Sequence, residues 1–355
     1  MQSTRRLLLG SCLFAALLVT RSVCQGQVYG YIVGHSSITS FDSGSGLITS
    51  SFMGGGTGEP LAVAADGSTL YLPGGDSSSG PLNIVSSQSG QVLNSVPLTY
   101  PGREVVLGND GTTAYVLCWS DNTHGAIDVV DLGKLAVTGT ISILGIQPQH
   151  VILSPDNTTL YVSVEGSQPK QSCTGNGICV YDLPTLAFKT EVTSLTGNLA
   201  VSRDGNSLYV TNETNPGLVR IVSTSTFGIS ALPTANLAFG PVFVNPLGHW
   251  ALPFLETREP AALIRIFNTL DNQLIAPFVN AFPGNSSPLS QSHYAAFAPD
   301  GKSFWALLSC QGLVITPGCS TPNSAPVLAG WQFPSGTLIA ETTIPSDSLY
   351  IAFPR

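Results

Sequence analysis

The chain has 355 residues, of which 43% are hydrophobic and only 10% charged, with 37 glycines and 25 prolines. Charged helix faces cannot be assembled from that supply, so an all-β protein rich in turns is expected. A formal charge of −8, from 13 Lys and Arg against 21 Asp and Glu, provides no basic surface for neutralising phosphates and argues against nucleic acid or anionic membrane as partners.

Residues 1–26 place Arg5 and Arg6 before an apolar stretch from Leu7 to Val19, too short and wrongly flanked for a membrane span, and read as an export signal. Small residues allow cleavage after Cys24 or Gly26, so the mature domain begins near residue 27 and carries no transmembrane segment. Thr4-Arg5-Arg6 followed by leucines also fits a twin-arginine signal, the alternative to an ordinary secretory one. Either places the protein outside the cytoplasm, secreted, periplasmic or at the cell surface, in the compartment where disulfides form.

After the signal, VYGYIVG from Val28, SSITSFDS from Ser36 and GLITSSF from Gly46 are three β-like runs. Then one phrase recurs: LAVAADGSTLYL from Leu61, EVVLGNDGTTAYV from Glu104, HVILSPDNTTLYV from His150, LAVSRDGNSLYV from Leu199, PVFVNPLGHWAL from Pro241 and YAAFAPDGKSFWAL from Tyr294. The anchors Asp66, Asp110, Asp156, Asp204, Leu247 and Asp300 lie 43 to 53 residues apart, the period of a four-stranded propeller blade. The central Asp-Gly, Asp-Asn or Leu-Gly pair supplies a hairpin turn because Gly and Asn tolerate positive φ. Two further β-like runs follow each pair, giving four strands per unit. At the other end SLYIAF from Ser348 resembles a first strand with no second strand after it. Joined to the three runs at residues 28–53, residues 346–355 complete a seventh unit. The expected architecture is therefore a single seven-bladed β-propeller over 27–355, its four-stranded antiparallel blades closed by pairing of N- and C-terminal strands.

The Tyr209-Val210-Thr211-Asn212 tetrapeptide after Asp204-Gly205, with its relatives in the other copies, resembles the YVTN-repeat β-propeller family, within the WD-repeat-like and lactonase-like propellers. The resemblance spans nearly the whole mature chain and implies a fold; the repeated residues build turns and blades, and propellers host unrelated activities.

In such a blade the first strand lines the channel, and the connections from strand four to one and from strand two to three emerge on one face. Seven residues before each anchor stand Glu59, Arg103, Gln149, Gly197, Gly240 and His293, with Asp347 in the split unit. Six before stand Pro60, Glu104, His150, Asn198, Pro241, Tyr294 and Ser348. Glu59, Arg103, Glu104, His150, His293 and Asp347 are thus expected to converge at the channel mouth as a ligand-binding set, although an ion pair of Arg103 with a neighbouring acid explains part of it equally well. Glu165 and Glu213 occupy matching places after the second strands of their blades.

Two close cysteine pairs, Cys173 with Cys179 and Cys310 with Cys319, can each staple a loop on that face, whereas Cys118 reads as a buried thiol. No cysteine or histidine spacing suits a metal, and no motif calls for a cofactor: CxxCH is absent, which weighs against a haem or quinone enzyme that a twin-arginine signal would otherwise suit. The sequons at Asn157, Asn212 and Asn285 fall in turns or loops.

A monomeric, non-enzymatic binding scaffold is the leading reading, its loop-bearing face meeting a ligand, polysaccharide or protein. The alternative is a lactone hydrolase, because PQHVILSPDNTTLYVSVEG from Pro148 is similar to the proline-arginine-histidine stretch of seven-bladed lactonases, with Gln149 in place of the arginine. That resemblance implies His150 polarising water, Arg103 steadying an oxyanion and Glu165 accepting a proton.

Overall fold

The computed structural model describes residues 28–53, 59–75, 80–121, 124–144, 147–166, 173, 175–211, 219–232, 238–256, 264–279, 287–288, 295–309 and 326–354. Residues 1–26, expected to be an export signal, and His293, Glu213, Cys310, Cys319, Asn212 and Asn285 lie outside these residues.

Seven antiparallel sheets form the ring, and no helix occurs among the described residues. Blade 1 runs from Ala62–Val63 to Val92–Val96, blade 2 from Gly102–Leu107 to Ala136–Leu144, and blade 3 from Gln147–Leu153 to Ala187–Thr193. Blade 4 runs from Asn198–Val201 to Ile229–Ala231, blade 5 from Ala238–Val244 to Gln273–Val279, and blade 6 from Ala295–Phe297 to Leu338–Thr343. Blade 6 also carries a short fifth segment, Ser287–Pro288, against Leu308 and Ser309.

The seventh blade is the split one. Its inner strand Ser348–Ala352 pairs with Tyr29–Gly34 in the register Tyr31 to Ala352, Ile32 to Ile351 and Val33 to Tyr350, followed outward by Ser37–Asp42 and Ile48–Met53. The N-terminal strand thus lies between two neighbours and the C-terminal strand gains a partner, which is the physical gain of closing the ring this way. Asp347 reinforces the joint: its carboxylate accepts from Ser36 N at 3.0 Å, Ser36 Oγ at 2.8 Å and Ser37 Oγ at 3.0 Å. Gly34 must be glycine here, since a Cβ would stand 2.5 Å from the Asp347 carbonyl oxygen.

The repeated aspartates explain their own recurrence. Asp66, Asp110, Asp156, Asp204 and Asp300 each accept the backbone N–H two residues on, at 2.9 to 3.1 Å, the local bond that favours Asp in turns. The next residue takes positive φ in these hairpins, Gly67, Gly111, Asn157, Gly205 and Gly301. Blade 5 departs from the expectation: Gly248 has no positive φ. There Asn245 organises the turn, its Oδ1 accepting from Leu247 N at 2.9 Å while its Nδ2 donates to Gly301 O of the next blade at 2.8 Å. Asn157 is a turn residue with φ 59°, its Oδ1 accepting from Asn109 N at 3.3 Å.

Between blades the cores are apolar and aromatic. Trp305 and Phe41 are fully buried with ring centroids 5.0 Å apart. The disulfide Cys173–Cys179 is present, but only Cys173 belongs to a connection; Cys179 lies on the third strand, Gly177–Asp182, fully buried. The bridge therefore ties the loop into the inter-blade core, where a small apolar sulfur packs well. Cys118 is a buried thiol on the second strand of blade 2, and burial raises its pKa well above the usual range.

Candidate functional site

β-Bulges at the starts of inner strands build the site. In blade 2 Gly102 faces Cys118 and Glu104 faces Leu117, so Arg103 is the extra residue. In blade 3 Pro148 faces Val164 and His150 faces Ser163, so Gln149 is extra. The inner strand of the split blade has the same irregularity at Leu349, and blade 5 has one between Phe239 and Val242. A bulge turns adjacent side chains away from strict alternation. Here it sends Glu104 and His150 inward, both buried, while Arg103 remains partly exposed and Gln149 exposed at the rim.

The inward pair links three blades. His150 Nδ1 lies 2.8 Å from Glu104 Oε1 and 2.9 Å from Oε2, and Glu104 Oε2 also accepts from Val151 N at 3.2 Å. His150 Nε2 lies 3.3 Å from the carbonyl oxygen of Leu199 in blade 4. A carboxylate and a carbonyl can only accept, so the imidazolium, with two N–H donors, is the form that satisfies both. Burial pulls the His150 pKa down; the Glu104 charge, its hydrogen bond and the Leu199 carbonyl together outweigh burial and raise it. One more inter-blade bond, Gly197 N to Ser163 Oγ at 3.0 Å, continues the belt.

The outward residues form a second group. Arg103 Nη1 meets Glu59 Oε1 of blade 1 at 3.1 Å, and the guanidinium carbon stands 4.2 Å from the centre of a Trp119 ring. Tyr350 completes the mouth from the split blade: burial, then the charges of Glu59 and Glu104, push its hydroxyl up to about 12.

Of the residues expected to converge, the structure gathers Glu59, Arg103, Glu104 and His150. Asp347 is committed to Ser36 and Ser37, and burial, which opposes ionisation, is outweighed by those bonds, so its pKa is lowered. Glu165 is exposed at the end of Thr159–Glu165, paired in register with Gln147. Trp119, Tyr350 and the Leu199 carbonyl were absent from the sequence-derived set. Trp119 stands at the repeat position of Glu165 and Glu213, nine residues after its anchor, where acids rather than an aromatic ring drew notice, and a backbone carbonyl carries no sequence signal at all.

Inside the mouth an axial cavity of about 550 Å³ extends from Glu104, His150 and Asn198 past Ile152, Phe243 and Phe297 toward Pro354. No group of three or more potential metal ligands occurs among the described residues.

No protein-family model matches the chain, and no curated protein matches it in sequence. Solved structures do resemble it. A periplasmic gluconolactonase of Pseudomonas aeruginosa superposes with a TM-score of 0.65 at 15% identity, covering 92% of this chain and 99% of that one. A functionally unknown protein from Desulfotomaculum acetoxidans gives 0.65 at 16% identity, covering 92% and 98%. Hydrazine synthase of Kuenenia stuttgartiensis gives 0.59 at 18% identity, covering 76% of this chain and 86% of that chain. At such identities the likeness concerns the fold, and these neighbours do not share one chemistry.

Proposed function

We propose that the chain is an exported propeller of the YVTN type that works as a binding scaffold, with the rim formed by Glu59, Arg103 and Trp119 as its recognition surface. One contrast carries this reading: at the same mouth the buried His150 has both ring nitrogens engaged, while the Arg103–Trp119 stack stays partly exposed. A general base needs a lone pair, and His150 in this setting has none to offer. Arg and Trp, by contrast, are the side chains that contribute most at recognition surfaces, and an Arg held by a carboxylate and stacked on an indole loses little freedom on binding.

The rival reading is lactone hydrolysis, supported by the likeness to the Pseudomonas gluconolactonase. One preparation tests both. The purified mature chain is assayed for hydrolysis of glucono-1,5-lactone and, on a sensor surface, for retention of polysaccharide and protein fractions of cell envelopes. Saturable retention that weakens at least tenfold in Trp119→Ala and Arg103→Ala, without lactone turnover above buffer, is the expected result. Turnover abolished by His150→Ala would overturn the scaffold reading.

A further inference from the structure

On the opposite, turn-bearing face, a cavity of about 630 Å³ opens between the split blade and blade 1, within the roughly 300–1,000 Å³ of small-molecule sites. Two of its residues break the repeat. Strand pairing puts Ser40 opposite Tyr31, and the matching residues in blades 1 to 5 are Ile84, Val129, Val180, Ile221 and Ile266, with Gly330 in blade 6. Two residues before Tyr31 stands Tyr29, where five of the other blades have the hydroxyls of Thr69, Thr113, Thr159, Ser207 and Ser303 and blade 5 has Trp250. An apolar core residue has thus become a small hydroxyl, and a position that is a hydroxyl in five blades carries an aromatic ring, which only blade 5 shares; Tyr29 and Ser40 both line this cavity.

The surrounding chemistry is selective. Ser40 Oγ lies 2.7 Å from Thr49 Oγ1 and 2.6 Å from Ser50 Oγ, a hydroxyl cluster at the cavity wall. Asp66 adds a carboxylate held below its usual pKa by Ser68, and Gln88 adds an amide; among the described residues that line it, none is basic. An anionic ligand would meet Asp66 without a compensating cation. A purely apolar one would strip water from the hydroxyls and return no hydrogen bonds. A neutral polyhydroxylated ring satisfies both limits, with its C–H face on tyrosine and its hydroxyls on Ser, Thr, Gln and Asp.

We propose that this seam, independently of the rim on the other face, is a binding site for neutral carbohydrate of one to a few pyranose units, with Tyr29, Ser40 and Asp66 as its recognition residues. Saturation-transfer NMR and calorimetry with maltotetraose, cellotetraose and xylotetraose, and with trigalacturonic acid as the charged control, test it. Tyr29→Thr and Ser40→Ile install residues that other blades carry, so thermal midpoints near that of the parent chain certify folding. The expected result is binding of at least one neutral oligosaccharide, no binding of the uronate, and at least tenfold weaker affinity in each variant. Failure of all three neutral sugars to bind, preference for the uronate, or affinity unchanged in both folded variants would overturn the site. So would saturable calcium binding that is lost in Asp66→Asn and unaffected by sugar. Trp119→Ala leaves this binding intact if the two faces act separately, so failure at the rim and failure at the seam are read apart.

Discussion

Replacing Glu104 by alanine severs the belt at its centre. The substitution removes the acceptor of His150 Nδ1 at 2.8 Å and of Val151 N at 3.2 Å, in a place where Glu104 and His150 are only 4% and 6% exposed. Breaking one side of a buried pair costs about 3–5 kcal/mol, of which roughly 1–3 kcal/mol belongs to the stranded Val151 amide. At about 2 °C per kcal/mol for a domain of this size, the thermal midpoint should fall by about 6–10 °C. Glu104→Gln keeps an acceptor for one donor and should lose about half as much. The effect should depend on pH with a definite sign. The folded His150 pKa is raised, so the stability from its protonation is complete below the unfolded value of about 6.5 and is lost as pH rises through the higher folded value. The gap between parent and Glu104→Ala should therefore be widest near pH 6 and narrow in alkali. Scanning calorimetry from pH 5.5 to 9 measures it. A midpoint change under 2 °C at pH 6, or a gap that widens with pH, would refute the belt.

Asp347→Ala should loosen ring closure by about 1 kcal/mol, since its hydrogen bonds are partly solvated. Because the folded Asp347 pKa is depressed, that contribution is present above the unfolded value of about 3.9 and disappears as pH falls through the folded one, so urea midpoints of parent and variant should converge only in strong acid. Cys173→Ser should cost about 2 kcal/mol, as expected for a bridge spanning six residues, and dithiothreitol should lower the parent's urea midpoint to match the variant. Cys118, buried with a raised pKa, should react with a thiol reagent only when the chain unfolds; rapid labelling under native conditions would contradict its place in the core.

Reading the chain alone went far on architecture because a propeller repeats local chemistry. Asp followed by Gly or Asn dictates five of the hairpins through bonds two residues long, and the orphan strand at Ser348 had its mates at Val28, so seven blades and their closure followed from pattern. The site was legible only as a list. Spacing placed Glu59, Arg103, Glu104 and His150 near the mouth, but strict alternation could not foresee the bulges that send Glu104 and His150 inward and leave Arg103 at the rim.

Local sequence therefore determined turns and strands, since those depend on neighbours in the chain, and the incomplete unit at each end pointed to closure. Partnership was decided by the fold: His150 is joined to Glu104 46 residues away and to Leu199 49 residues away, Asp347 to Ser36 across 311, and Ser40 to a cavity shared with the next blade. Whether a side chain is a base, a clasp or part of a pocket wall depends on what stands within 3 Å of it. Only the closed ring brings residues so distant in sequence that near.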